Sequence, residues 1–145
     1  MKHIKPFNES ESYSLEDVVS SIREMALDFV DDGFNVVVKS RTINPRSSRN
    51  YSTIDIKSPS GTPYKVISDN KISITIDSKL FSDFTISGEK IIEFSERIES
   101  YLGTQNLIYN INYHWHDSNG HFYEKKPVWK KEKLRNIWIE IYMGK

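Results

Sequence analysis

Two separate stretches of the chain alternate an apolar residue with a polar or aromatic one, and this pattern constrains the fold more than any other feature. In residues 71–77 every second residue is isoleucine and the others are polar. In residues 137–143 isoleucine or methionine again takes every second position. Successive side chains of a β-strand point to opposite faces of its sheet. Each stretch therefore predicts a strand with one buried and one solvated face, as in an antiparallel sheet.

Two other stretches carry apolar residues at helical spacing. The first predicted helix follows Ser14 and ends at Asp32-Gly33, and the second runs from about Ser87 to Leu102 and ends at Gly103. The first apolar stripe consists of Leu15, Val18, Val19, Ile22, Met25, Ala26, Phe29 and Val30. The second consists of Ile91, Phe94, Ser95, Ile98 and Leu102. Because each helix has a single stripe, we expect both to share one face of the sheet.

The full pattern predicts an α+β fold with the element order α-β-β-β-β-α-β-β and a largely antiparallel sheet. Tyr64–Ser68 and Lys71–Asp77 are predicted to form a hairpin, and one more short strand is expected near Phe122-Tyr123. The later strand places Leu107, Tyr109, Ile111, Tyr113 and Trp115 on one face. Residues 14–145 are expected to form one domain, preceded by an N-terminal arm or leader over residues 1–13.

Composition excludes several classes of protein. The chain has no cysteine, which removes disulfides, cysteine-ligated zinc, iron–sulfur clusters and thiol catalysis. It has no apolar run of membrane-spanning length and no secretory signal core, so neither a membrane protein nor secretion through a signal peptide is expected. The net charge is zero, yet residues 9–32 hold eight acids and one base, while residues 124–135 hold six bases and two acids. Such asymmetry bears on binding partners.

Three of the four histidines lie between residues 114 and 121. His114 and His116 are two apart in a predicted strand, so they share a face and are the candidate metal ligands. Residues 117–120 predict a hairpin turn, and with a three-residue loop Asp117 pairs with His121. His121 would then lie on the opposite face. The pattern favours an aromatic hairpin tip over a metal site, and no cofactor is expected.

The segment after this hairpin is the candidate nucleic-acid-binding surface. Its residues are Lys125, Lys126, Trp129, Lys130, Lys131, Lys133 and Arg135, with Arg46 and Arg49 as additions if the strands are neighbours. Lysine neutralises phosphate, and an indole stacks on an unpaired base. The alternative is a solvated connection that protects a sheet edge. A sequence pI of about 6.9 is lower than nucleic-acid-binding domains usually have.

Asp55-Ile56-Lys57 lies in a predicted strand and weakly resembles the metal site of restriction-type nucleases. That family places an acid two residues before a lysine, and a second acid at the end of a preceding strand. The strand around Val36–Arg41 supplies no such acid. Metal-assisted hydrolysis needs several convergent acids, so a metal-dependent nuclease is the third hypothesis.

The N-terminal sequence MKHIKPFNES resembles the start of many small tailed-phage proteins without an established activity. It is also similar to the head-targeting leader of certain large phages, in which a prohead protease cuts after a hydrophobic-x-Glu triplet. Phe7-Asn8-Glu9 matches that triplet, although the family prefers leucine or isoleucine where Phe7 stands. The resemblance implies a phage source, in host cytoplasm or virion, with Ile4, Phe7 and Glu9 as leader or docking residues.

The leading hypothesis is a small phage-encoded binding protein without enzymatic activity, in a protein-interaction or virion-associated role. The alternative is a nucleic-acid-binding accessory protein that uses the basic-aromatic segment. Protein is the expected partner and nucleic acid the alternative one. The sequence leaves the oligomeric state open.

Overall fold

The computed structural model describes residues 14–42, 53–57, 63–67, 70–78 and 85–144. Its helices are α1 (Leu15–Met25), α2 (Leu27–Asp31) and α3 (Gly88–Thr104). Its strands are β1 (Asn35–Thr42), β2 (Thr53–Lys57), β3 (Pro63–Ile67), β4 (Asn70–Asp77), β5 (Ile86–Ser87), β6 (Ile108–Asp117), β7 (Phe122–Tyr123) and β8 (Lys133–Gly144). The predicted α+β class is confirmed.

The main sheet is antiparallel and has six strands in the described part of the chain. Its order is β1-β4-β8-β6-β7, and the two residues of β5 pair with the start of β8. Strand β8 is the long central strand, which pairs with β4 on one side and with β6 on the other. Strand β7 confirms the short strand expected near Phe122-Tyr123.

Strands β2 and β3 pair with each other and form a separate two-stranded sheet. The predicted hairpin between Tyr64–Ser68 and Lys71–Asp77 is therefore wrong, because β4 pairs with β1 and β8 instead. A turn signal fixes only a local chain reversal, whereas the burial of a whole strand face decides which strands pair. In the middle of the large sheet the isoleucine face of β4 is fully buried. The Cα atoms of β2 lie close to those of β6 and β8.

The core combines apolar residues of the helices with those of the sheet. Ile72, Ile74 and Ile76 of β4 are fully buried, as predicted from their alternation. They join the apolar residues of β8 and the stripes of α1 and α3 in one cluster. All five predicted stripe residues of α3 are buried. The intervening residues of β4, and those of β8 from Asn136 onward, are half-buried and form the second face of the sheet.

The helix ends differ from the prediction in two places. The first helix is interrupted at Ala26, whose N–H is shared by the carbonyls of Ile22 and Arg23. The short α2 that follows buries Phe29 but leaves Val30 49% exposed, so Val30 does not belong to the buried stripe. The second helix continues through Gly103 to Thr104.

The chain reversal after α3 is made by Asn106, which has a φ of 58°. Asparagine tolerates this left-handed conformation better than most residues. The helix was predicted to end at Gly103, and this is wrong because the chain turns at Asn106 instead. The end predicted at Gly33 is confirmed by its φ of +94°. Within the described ranges, none of the helices has the length and apolar character needed to cross a membrane.

Candidate functional site

The connection between β7 and β8, residues 124–132, is tied to the rest of the domain along its length. Trp115 of β6 donates a hydrogen bond from Nε1 to the carbonyl of Lys125 at 2.7 Å. The next residue, Lys126, donates from Nζ to Oε2 of Glu99 on α3 at 2.9 Å. The 124–132 loop is therefore attached to both the sheet and the helix near its start.

The later part of the 124–132 loop closes over the N-terminus of α3. The N–H of Gly88 donates to the carbonyl of Glu132 at 2.8 Å, and the N–H of Glu89 donates to that of Lys130 at 3.2 Å. These are N–H groups that the first turn of a helix leaves without internal partners. A Cβ added at Gly88 would lie 2.6 Å from the carbonyl oxygen of Trp129. Glycine therefore permits this close approach.

This anchored loop exposes apolar and basic side chains together. Val128 is 78% exposed and Trp129 is 59% exposed. Lys130, Lys131 and Lys133 are exposed, and their side chains have no partner among the described residues. An indole held on a fixed backbone beside free ammonium groups can bind an aromatic or anionic ligand.

The other residues predicted for this segment are less free. The ammonium group of Lys125 lies 5.5 Å from the ring centre of Tyr123. Lys126 is paired with Glu99, and Arg135 donates to the carbonyl of Ser118 at 3.4 Å. Arg46 and Arg49 lie outside the described residues, and so do Ile4, Phe7 and Glu9.

The described residues of the two basic segments lie at different corners of the sheet. Arg41 of β1 pairs with Lys71, which pairs with Tyr142 near the C-terminal end of β8. The 124–132 loop enters β8 at its other end, at Lys133. A strand rises about 3.3 Å per residue, so Lys133 and Tyr142 are roughly 30 Å apart. Arg41 therefore does not extend the basic surface of the loop.

The neutral net charge conceals a difference in charge between the helices and the strands of the domain. Helices α1–α3 contain nine acids and three bases, a net charge of −6. Strands β1, β4 and β6–β8, with residues 118–132, contain nine bases and five acids, a net charge of +4. Field lines follow this local distribution rather than the sum over the chain.

Four rings form an aromatic cluster on the second face of the sheet: His114, His116, Phe122 and Trp138. His114 stacks with Trp138 at 5.3 Å between ring centres and with Phe122 at 6.3 Å, with planes 13° and 12° apart. Phe122 lies 5.8 Å from Trp138 and 5.0 Å from His116. The ring centres of His114, Trp138 and Phe122 are thus all within 6.3 Å of one another. In a single stacked column the two outer rings would be about 10 Å apart, so these near-parallel rings form a triangle instead. Phe122 remains 46% exposed.

His114 also belongs to a charged chain across the strands. Its Nε2 lies 3.2 Å from Oε1 of Glu140, and Oε2 of the same carboxylate lies 2.5 Å from Nζ of Lys71. Burial raises the pKa of Glu140, but the hydrogen bond and charge of Lys71, with help from His114, outweigh it and hold this pKa low. The hydrogen bond to Glu140 raises the pKa of Lys71 against the effect of burial.

The hairpin tip separates the histidines as predicted. The N–H of Asp117 donates to the carbonyl of His121, and Gly120 has a φ of +86°, which gives the three-residue loop. The Asp117 carboxylate accepts from the backbone N–H groups of Asn119 and His121 at 2.9 Å, and from Tyr123 Oη at 3.2 Å. Burial raises the pKa of Asp117, but the hydrogen bonds from His121, Asn119 and Tyr123 outweigh it and lower the pKa.

The histidines do not assemble a three-ligand site. His121 lies beside Asp117, with 3.2 Å between Nδ1 and Oδ2, while His114 and His116 lie in the aromatic cluster. Nδ1 of His116 is 2.9 Å from Oδ1 of Asn136. Within the described ranges, no three histidine or acidic side chains are grouped so that they could hold a metal ion.

The nuclease-like segment lies on β2, where Asp55 pairs across the ribbon with Lys65 of β3. The side chains of Asp55 and Lys57 are outside the described part of the structure, so their chemistry stays a prediction. The strand itself belongs to the two-stranded sheet and not to the large one.

Several features of the site have no clear signal in the sequence. In the sequence Gly88 resembles an ordinary helix start, and its contact with Trp129 depends on a residue 41 positions away. The bridge between Glu99 and Lys126 is equally non-local. Phe122 could be placed near His114 only once the hairpin register was known.

Comparisons of the chain with family models, with curated proteins and with solved structures give no match.

Proposed function

We propose that this chain is a small phage-encoded accessory protein that binds nucleic acid without enzymatic activity. In this proposal the domain has two layers, with both main helices on one face of the sheet. The binding surface is the 124–132 loop together with the basic start of β8. Phage origin rests on the pattern of residues 1–10.

One observation carries the proposal: Trp129 is 59% exposed on an anchored loop beside two lysines without side-chain partners in the described residues. Exposing an indole is unfavourable by roughly 25 cal/mol per Å² of apolar surface, so a ligand that covers it gains free energy. Lys130 and Lys131 can contact phosphates while the indole stacks on a base. The fixed backbone reduces the entropy lost on binding.

The separation of charge supports a nucleic-acid partner despite the neutral pI. Helices α1–α3 carry a net charge of −6, and the strands together with residues 118–132 carry +4. A phosphate backbone approaching from the strand side meets a local excess of bases. The low pI is thus explained by acids that lie elsewhere in the domain.

The test is the affinity of two charge-reversal variants for a labelled oligonucleotide, measured by fluorescence anisotropy. Lys130→Glu with Lys131→Glu is expected to lower affinity at least about tenfold, since two phosphate contacts become repulsive. Lys90→Glu with Arg97→Glu on α3 makes the same change in net charge on the acidic side. Equal losses in both variants would show a non-specific charge effect and contradict the assignment of the loop.

A protein-interaction or virion-associated role is the second candidate. The observation that favours it is Val128, which is 78% exposed next to Trp129 and offers an apolar contact that phosphates do not need. Mass spectrometry of the protein from purified particles tests the leader hypothesis. A chain beginning at Ser10 supports head targeting with cleavage after Glu9, and an intact Met1 in mature particles contradicts it.

A further inference from the structure

The aromatic cluster lies on the face of the sheet opposite the core. Strand alternation puts Trp138 there because its neighbours Ile137 and Ile139 are fully buried on the helix side. His114 and Trp138 are directly opposite each other in the β6–β8 register, and Phe122 is opposite His116. Three strands thus bring four rings to one place. Phe122 is exposed and the other three rings are partly buried, so the cluster presents an aromatic surface at this edge of the sheet.

The charges around the aromatic cluster favour an anionic ligand. Glu140, the acid nearest to the rings, is already neutralised by Lys71 and His114. Val37 of β1 is 43% exposed and is level with Trp138 through Thr75 of β4. Lys39 and Arg41 alternate with core-side residues on the same face as Val37, and both are exposed. Two bases therefore share this face of the sheet with the rings.

The aromatic cluster is also continuous with the basic surface of the 124–132 loop. That loop leads directly into Lys133 and Arg135 at the start of β8, and Asn136 contacts His116 of the cluster. A chain of phosphates bound to the loop would run toward the rings without crossing the acidic helices.

The chemistry of the rings selects single strands over duplexes. In a duplex the base faces are stacked on one another and only their edges reach the grooves. In a single strand each base has a free face that stacks on an aromatic side chain, whatever the base. Phe122, the most exposed of the four rings, is at the edge of the sheet, where such a base can reach it.

We propose that the aromatic cluster binds single-stranded nucleic acid by stacking unpaired bases on Phe122 and Trp138. The inference rests on the proposed function, because the phosphates of the same strand are held by Lys130, Lys131 and Lys133. It adds the substrate class: single-stranded DNA or RNA is bound and duplex is discriminated against.

The experiment compares a labelled thymidine oligonucleotide of about ten nucleotides with a duplex of equal length, by anisotropy at low salt. Wild type binds the single strand more tightly. Phe122→Ala and Trp138→Thr each lower affinity for the single strand about tenfold and leave that for the duplex within about twofold. Trp138→Phe, which keeps a ring, retains most of the affinity. Val37→Ala, an exposed apolar residue of the same face without a ring, changes neither affinity.

The outcomes separate this inference from the proposed function. If Phe122→Ala and Trp138→Thr bind as wild type while Lys130→Glu with Lys131→Glu has lost binding, the aromatic cluster is not the site and the loop remains. Equal affinity of wild type for single strand and duplex also overturns the inference. If wild type binds neither at low salt, both proposals fail and a protein ligand is left for this face. Because Phe122 is half exposed, Phe122→Ala is expected to leave the fold intact, and circular dichroism of the variant checks this.

Discussion

Replacing Gly88 by alanine tests how tightly the 124–132 loop is fixed to helix α3. The added Cβ would lie 2.6 Å from the carbonyl oxygen of Trp129 and 3.1 Å from that of Glu132. Ordinary contact begins near 3.4 Å, so the Trp129 carbonyl must move by at least about 0.8 Å. Both close atoms are backbone, which cannot rotate away as the end of a flexible side chain can.

The magnitude follows from three contributions. Overpacking of this kind typically lowers the free energy of unfolding by about 1–3 kcal/mol. Displacement of the loop also weakens the 2.8 Å hydrogen bond from Gly88 to Glu132, which contributes about 1 kcal/mol. Alanine at a helical position recovers up to about 1 kcal/mol through its higher propensity. We expect Gly88→Ala to lower the free energy of unfolding by about 1–3 kcal/mol.

Gly103→Ala is the matched control in the same helix. A Cβ at Gly103 meets nothing within 4 Å, so only the helix propensity acts and the variant is stabilised by about 0.5–1 kcal/mol. Urea unfolding followed by circular dichroism measures the free energy of unfolding of both variants. A difference of about 2 kcal/mol between them corresponds to a difference of about 1 M in the urea concentration at the unfolding midpoint. A Gly88→Ala variant as stable as Gly103→Ala would refute the close contact between loop and helix.

Two further predictions concern the sheet. Ile74→Ala, at a fully buried position of β4, is expected to lower the free energy of unfolding in urea by about 2–5 kcal/mol. Val37→Ala, on the exposed edge strand, is expected to change it by less than about 1 kcal/mol. Equal losses in the two variants would contradict the placement of the core. The folded pKa of Glu140 is held below its ordinary value of 4.5, so its stabilising effect is present above that pH and is lost as pH falls through the folded pKa. Urea midpoints at pH 7 and pH 3 should therefore differ less for Glu140→Gln than for wild type, and a difference no smaller than in the control Glu124→Gln would contradict the pairing with Lys71.

The local patterns of this sequence predict its helices and strands because buried residues recur at short intervals, every second residue in a strand and about every 3.6 residues in a helix. The isoleucines of β4 and the stripe of α3 are buried as their spacing indicates. The hairpin tip was also predictable, since Asp117 and Gly120 have conformational preferences that act within a few residues.

Pairing and contacts between distant segments could not be predicted in the same way. Whether β4 pairs with β3 or lies between β1 and β8 depends on the total area that each arrangement buries. The left-handed conformation at Asn106 rather than Gly103 depends on how α3 packs before the chain turns. The aromatic cluster needs the register of three strands at once, so the sequence indicates its residues but not their meeting.

The salt dependence of single-strand binding by the wild-type protein tests the central claim most directly. Lys130, Lys131 and Lys133 have no side-chain partner in the described residues, so about three phosphates are expected to be neutralised. Between about 50 and 200 mM salt, the logarithm of the association constant should fall with the logarithm of salt concentration with a slope of about −2. Absence of binding at the lowest salt, or binding whose affinity does not change with salt, would contradict the account.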